Sequence, residues 1–299
     1  MQSPRLVDAG QVTVAYETFG SPDDPPLVLV MGVATQMLGW PEGFCQALAD
    51  DGFYVVRFDN RDIGLSTHLD DAGVPDLVAL LTGRSTSAPY TLADMADDTA
   101  GLLDALGLDR VHLVGLSMGG MIAQEVALRH EQRLTSLTTI MSTPAAHIGK
   151  STPAAQATLM WPSPRTEVEA ADFTVKVYGV VGSPAYPHDT EWLREIGAES
   201  FRRSSKSAGK VRQFAAILVS PDRRPGLASL TVPTLVLHGE EDPLIQVEGS
   251  HEIAAAVPGA RLVTYPGMGH DLPQELWPTL IGEITEHARR AAKEEGREP

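Results

Sequence analysis

Residues 111–130 read VHLVGLSMGGMIAQEVALRH. The first six, apolar but for His112 and Gly115, read as a buried strand. From Met118 onward the apolar positions take helical spacing, so the stretch predicts a strand, a sharp turn and a helix. At the turn stands Gly115-Leu116-Ser117-Met118-Gly119, a G-x-S-x-G pentapeptide. In a strand–turn–helix context this pattern presents the serine above the sheet edge as a nucleophile. Small residues flank it because side chains there would collide with neighbouring strands. The following helix brings its positive end close to the Ser117 hydroxyl.

The same rhythm extends in both directions. VTVAYETFG (12–20) alternates as a strand does and ends at the turn composition SPDDPP. LVLVMG (27–32) and YVVRFD (54–59) are buried-strand runs, separated by the helical GFCQALADDG (43–52). TLADMADDTAGLLDALGL (91–108) is helical and opens at Thr91, an N-cap placed before Asp94. LTSLTTIMS (134–142), PTLVLHG (233–239) and RLVTYPG (261–267) are strands; VEGSHEIAAAV (247–257) and LWPTLIGEITEHARRAA (276–292) are helices. Strands alternating with helices pair in parallel through right-handed crossovers, which gives an α/β sheet flanked by helices. The rhythm breaks between about 143 and 228, where helical pieces around 168–181, 189–207 and 208–220 follow one another without a strand. Such an insertion reads as a lid over the strand ends, where ligands bind in open α/β sheets. The expected division is a core domain of residues 1–142 and 229–299 and a helical lid of residues 143–228.

Composition narrows the partners. Lys and Arg total 23 against 39 Asp and Glu, a formal charge of −16 that repels nucleic acid and anionic membrane surfaces. No apolar run approaches the ~20 residues needed to span a bilayer. MQSPRLVDAGQ (1–11) lacks the basic start and apolar run of a signal peptide. The expectation is a cytoplasmic protein, without a membrane span, acting on a small molecule. Cys45 is the one cysteine, so no intramolecular disulfide forms. In GFCQALAD it reads as a small buried hydrophobe. Neither it nor the histidines show metal-ligand spacing. No G-x-G-x-x-G opens a helix after a strand and no P-loop occurs, so no cofactor is expected. Monomer and homodimer both remain open.

A serine hydroxyl is a weak nucleophile at neutral pH and needs a base, itself oriented by a carboxylate. VLHGEEDPL (236–244) places Asp242 in the turn after a strand, and YPGMGHDLP (265–273) places His270 in the loop after the last strand. Both fall at the sheet edge that carries Ser117. Glu240 and Glu241 compete for the acid role, but Asp242 alone is followed by a chain-fixing proline. After the strand at 134–142, STPAAHIGK carries no carboxylate, so the acid falls to the later loop. Two backbone amides are expected to hold the developing oxyanion. One is that of Met118, the residue after the serine; the other is that of Val33, where Gly32 gives the backbone room to turn inward. In FDNRDIGLST (58–67), Asp59, Arg61 and Asp62 are set for a charge network supporting the site. His238 abuts the acid loop and is placed to bond backbone. Within the lid, Met160, Trp161, Phe173, Val177 and Tyr178 are candidates for an apolar substrate pocket, although their helical spacing equally suits lid core.

Taken in order, LVLVMG, FDNRDIGLST, VGLSMGG, LVLHGEEDP and PGMGH resemble the α/β-hydrolase superfamily over roughly residues 10–290. The resemblance implies a mostly parallel eight-stranded sheet flanked by helices, with a helical lid inserted after the sixth strand. It also implies the chain order serine, acid, histidine, with Asp242 aligned as the acid of a triad with Ser117 and His270. Where most relatives read histidine-glycine after the oxyanion strand, this chain has Met31-Gly32. That departure, with the FDNRD loop, resembles a bacterial subgroup of esterases and lipase-like proteins that includes aclacinomycin methylesterase. The implied activity is hydrolysis of a small-molecule carboxylic ester through an acyl-enzyme on Ser117. Cleavage of a methyl ester on a polyketide-type natural product, acyl transfer and perhydrolysis are alternatives for the same triad. A non-catalytic ligand-binding protein on this fold is the rival from another class.

Overall fold

Continuous apolar strands have to be covered on two faces, and helices do so here. The computed structural model describes residues 3–296. Its strands are β1 (Arg5–Asp8), β2 (Thr13–Phe19), β3 (Pro26–Val30), β4 (Tyr54–Phe58), β5 (Val111–Leu116), β6 (Leu134–Ile140), β7 (Thr234–Gly239) and β8 (Arg261–Tyr265). They form one eight-stranded sheet in the order β1-β2-β4-β3-β5-β6-β7-β8. The β1–β2 and β2–β4 pairings are antiparallel, and the remaining ones are parallel. Seven of these strands are expected from the sequence; β1 is not. RLVD is a largely exposed edge strand of four residues, too short to show a buried pattern.

The period of two decides which side chain meets which layer. Val28 and Val30 point into a cluster with Leu92, Met95 and Leu102 of α3 (Leu92–Ala105), Ile122 and Val126 of α4 (Met118–His130), and Ile253 of α10 (Glu248–Ala256). Leu27 and Leu29 point the other way, to Phe44, Cys45 and Leu48 of α1 (Glu42–Asp50) and Leu280 and Ile284 of α11 (Trp277–Glu295). Cys45 is thus a buried core residue, as expected. Thr91 caps α3 through a reciprocal capping box with Asp94, whose carboxylate accepts the Thr91 amide at 2.7 Å.

Between β6 and β7 the chain builds helices only: α5 (Pro153–Leu159), α6 (Glu167–Val181), α7 (Thr190–Arg203), α8 (Ala208–Val219) and α9 (Arg224–Leu227). The three helical pieces expected there appear as α6, α7 and α8. The short α5 and α9, like α2 (Leu77–Leu81) ahead of α3, carry too few turns to set a period. Among the described residues no helix is long and apolar enough to cross a membrane.

Candidate active site

β5 is buried along its whole length and runs directly into α4. Between them Ser117 adopts φ 58° and ψ −121°. A positive φ of this kind costs a non-glycine residue about 1–3 kcal/mol and persists only where its surroundings impose it. They do so here. The Ser117 amide donates to the Ile140 carbonyl on β6 (2.8 Å), and the Ser142 hydroxyl donates to the Ser117 carbonyl (2.9 Å). Gly115 and Gly119 make the turn possible by close approach: a Cβ on Gly119 would run into the Val30 carbonyl, and one on Gly115 into that of Gly119. The Ser117 side chain makes no capping bond to α4 and lines a cavity.

Asp242 lies in the turn after β7 and His270 in the loop after β8. His270 Nδ1–H donates to Asp242 Oδ2 at 2.6 Å, which leaves Nε2 as the ring nitrogen able to accept a proton. The other carboxylate oxygen accepts the amides of Leu244 (2.8 Å) and Ile245 (2.9 Å). Glu240 and Glu241 point to solvent, and Glu240 is bonded by the Thr264 hydroxyl (2.7 Å). His238 donates from Nε2 to the Ile245 carbonyl (2.8 Å), so its Nδ1 accepts the Ser250 hydroxyl (2.6 Å). Burial holds the His238 pKa below the usual histidine value, and the neutral ring braces the acid's turn. The His270 loop is pinned from the insertion. The His270 amide donates to the Val181 carbonyl at the end of α6 (2.7 Å), and the Gly269 amide to the Ser183 hydroxyl oxygen (2.9 Å). That hydroxyl in turn bonds Asp271, whose pKa is pushed up by burial. Ser117 and His270 line the same cavity without a direct hydrogen bond between them, an open spacing common in substrate-free sites.

After β3 the chain turns inward at Met31-Gly32, where a Cβ on Gly32 would lie 3.5 Å from Ser117 Oγ. Val33 follows on the cavity wall. Met118 opens α4, where first-turn amides have no acceptor within the helix. The contacts that hold this turn are not legible in the sequence. Asn60 Nδ2 donates to the Met31 carbonyl (2.9 Å), and Asp59 accepts the Met37 amide (2.7 Å). The Ala34 amide, on a residue with φ 59°, donates to Gln213 Oε1 (2.9 Å). Gln213 belongs to α8 and is fully buried, and its Nε2 donates to the Arg61 carbonyl (2.8 Å). The charge network expected in FDNRD exists and continues into the insertion. Arg203 pairs with Asp59 (2.6 Å), Arg212 grips both oxygens of Asp62 (2.7 and 2.8 Å), and Arg61 pairs with Asp98 (2.6 Å).

The cavity holds about 360 Å³. Phe173, Val177 and Tyr178 of α6 line it as expected, with Met160 on its exposed rim. Burial pushes the Tyr178 phenol pKa up. Trp161 departs from expectation and stands off the cavity wall. Its ring is engaged edge-on by Phe173 (centroids 6.2 Å apart) and capped by Lys176 Nζ, 4.1 Å from its centre. A larger hollow of about 830 Å³ between α1, α6 and α7 contains neither Ser117 nor His270, so volume alone does not mark the site. Among the described residues no group of three or more His, Cys, Asp or Glu side chains is arranged to hold a metal ion.

A family profile described as alpha/beta hydrolase fold matches residues 25–274. The chain belongs to that family. Among its relatives, rhodomycin D methylesterase DauP of Streptomyces sp. (strain C5) is 28% identical, covering 96% of this chain and 98% of its own. 3-Oxoadipate enol-lactonase 2 of Acinetobacter baylyi is 25% identical, covering 80% of this chain and 79% of its own. A solved hydrolase from Pseudomonas aeruginosa PA01 aligns with TM-score 0.70 and 27% identity, over 94% of this chain and 97% of its own. Esterase RhEst1 from Rhodococcus sp. ECU1013 aligns with TM-score 0.74 over 96% and 99% of the two chains; its 20% identity speaks to the fold alone. This alpha/beta hydrolase-fold chain carries Ser117 at the strand-to-helix turn and the Asp242–His270 pair on later loops of one sheet edge.

Proposed function

We propose that the protein hydrolyses carboxylic esters through an acyl-enzyme on Ser117. The observation that carries this reading is the 2.6 Å bond from His270 Nδ1 to Asp242, made at a cavity that Ser117 also lines. In the first half-reaction His270 Nε2 takes the Ser117 proton while Oγ attacks the ester carbonyl. Asp242 holds the imidazole tautomer and stabilises the imidazolium. The oxyanion is received by the Val33 and Met118 amides, each such donor being worth on the order of 100- to 1000-fold in rate. His270 then protonates the leaving alcohol, and water repeats the sequence on the acyl-enzyme. Residues 143–228 serve as the lid and residues 1–142 and 229–299 as the core. Relatives named as a methylesterase and an enol-lactonase support an ester-type C–O bond as the one broken.

The test is an acyl-chain series of p-nitrophenyl esters run beside aromatic methyl esters, with Ser117→Ala as the blank. The expected result is turnover by the wild type and a loss of about 10⁴-fold or more in the variant. Undiminished turnover by Ser117→Ala would overturn the reading.

A further inference from the structure

The wall that α8 contributes to the cavity is not wholly apolar. Ser207, Lys210, Val211 and Phe214 line it at helical spacing, while Arg212 and Gln213 turn to the FDNRD loop. The neighbouring cations of the sequence are engaged. Arg202 pairs with Glu167 and Glu199, Arg203 with Asp59, Lys206 with Asp70, and Arg212 with Asp62. Lys210 is half-buried and, among the described residues, pairs with no carboxylate. Asp271, the carboxylate on the cavity wall beside His270, is taken up by the Ser183 amide and hydroxyl. Burial with no compensating anion pulls the Lys210 ammonium below its usual pKa. Withdrawing a charge from water without a partner is unfavourable. In a chain of charge −16, a bare cation facing the site is the exception. A ligand that brings its own anion removes the penalty.

We propose that Lys210 forms an anion-binding subsite, so that the preferred substrates are esters or lactones carrying a free carboxylate remote from the scissile carbonyl. The apolar Val211 and Phe214 on the same face of α8, with Phe173 on the same cavity wall, suit the hydrocarbon spacer between the two groups. The proposal rests on the esterase reading above and specifies which esters that site selects.

The experiment compares monomethyl esters of dicarboxylic acids with methyl esters of uncharged acids of equal chain length, using wild type, Lys210→Met and Lys210→Arg. A charge-assisted contact predicts that wild-type kcat/KM favours the half-esters by about tenfold or more, mainly through KM. Lys210→Met brings the ratio to about one, and Lys210→Arg restores most of it. Equal use of both ester classes by the wild type, or a preference that survives Lys210→Met, would overturn the subsite while leaving the esterase reading intact. Cleavage of neither class while p-nitrophenyl esters turn over would overturn the subsite alone; no turnover of any of these esters would overturn both.

Discussion

At the scale of single residues, Asp242 divides its two oxygens between two tasks. Oδ1 is committed to the Leu244 and Ile245 amides, so Oδ2 alone faces His270. In Asp242→Asn the amide oxygen stays with those two donors, and its NH₂ confronts Nδ1. That enforces the wrong imidazole tautomer, and kcat/KM on a p-nitrophenyl ester falls about 10³- to 10⁴-fold with an unchanged circular dichroism spectrum. A loss under tenfold would remove Asp242 from the proposed role. The positions of Ser117, Asp242 and His270 just past β5, β7 and β8 are legible in the sequence because patterning and turn residues mark those three strands. Trp161 is not, because helical spacing places it in the insertion but does not say whether its ring meets the cavity or Lys176.

At the scale of elements, the insertion is tied to the site it covers. Gln213 of α8 reaches the turn after β3 across 179 residues of sequence, and α6 ends by holding the His270 loop. Ala34 keeps φ 59° with its amide on Gln213 Oε1, so under the proposed mechanism Gln213 is the positioning residue for the neighbouring Val33 amide. Gln213→Ala lowers kcat about 10- to 100-fold and shifts KM much less, since a misplaced donor weakens the transition state more than the bound ester. A change confined to KM would count against this role. Patterning in the sequence reveals α6, α7 and α8 of the insertion, because each runs long enough to set a helical period. It does not reveal these cross-links, one a single polar side chain and the other a backbone bond, neither with a period, nor β1, whose four residues are mostly exposed.

For the whole molecule, burial of two histidines sets an acid limit on stability. His112 on β5 and His287 on α11 have pKa values lowered to about 4 by burial. In the unfolded chain each titrates near ~6.5. Between those values the unfolded state binds more protons, so stability is complete above pH ~6.5 and is lost as pH falls toward 4. The loss is on the order of 3 kcal/mol per group. Urea denaturation midpoints at pH 7, 5.5 and 4.5 should fall in that order, and His112→Gln should flatten the trend. A midpoint constant across this range would contradict the burial of these rings. Whether Ser117 is the nucleophile is read on the intact protein with a fluorophosphonate. Mass spectrometry should show one adduct per chain, mapped to Ser117 and absent from Ser117→Ala. Ester hydrolysis that persists with no adduct, or with the adduct on another residue, would contradict it.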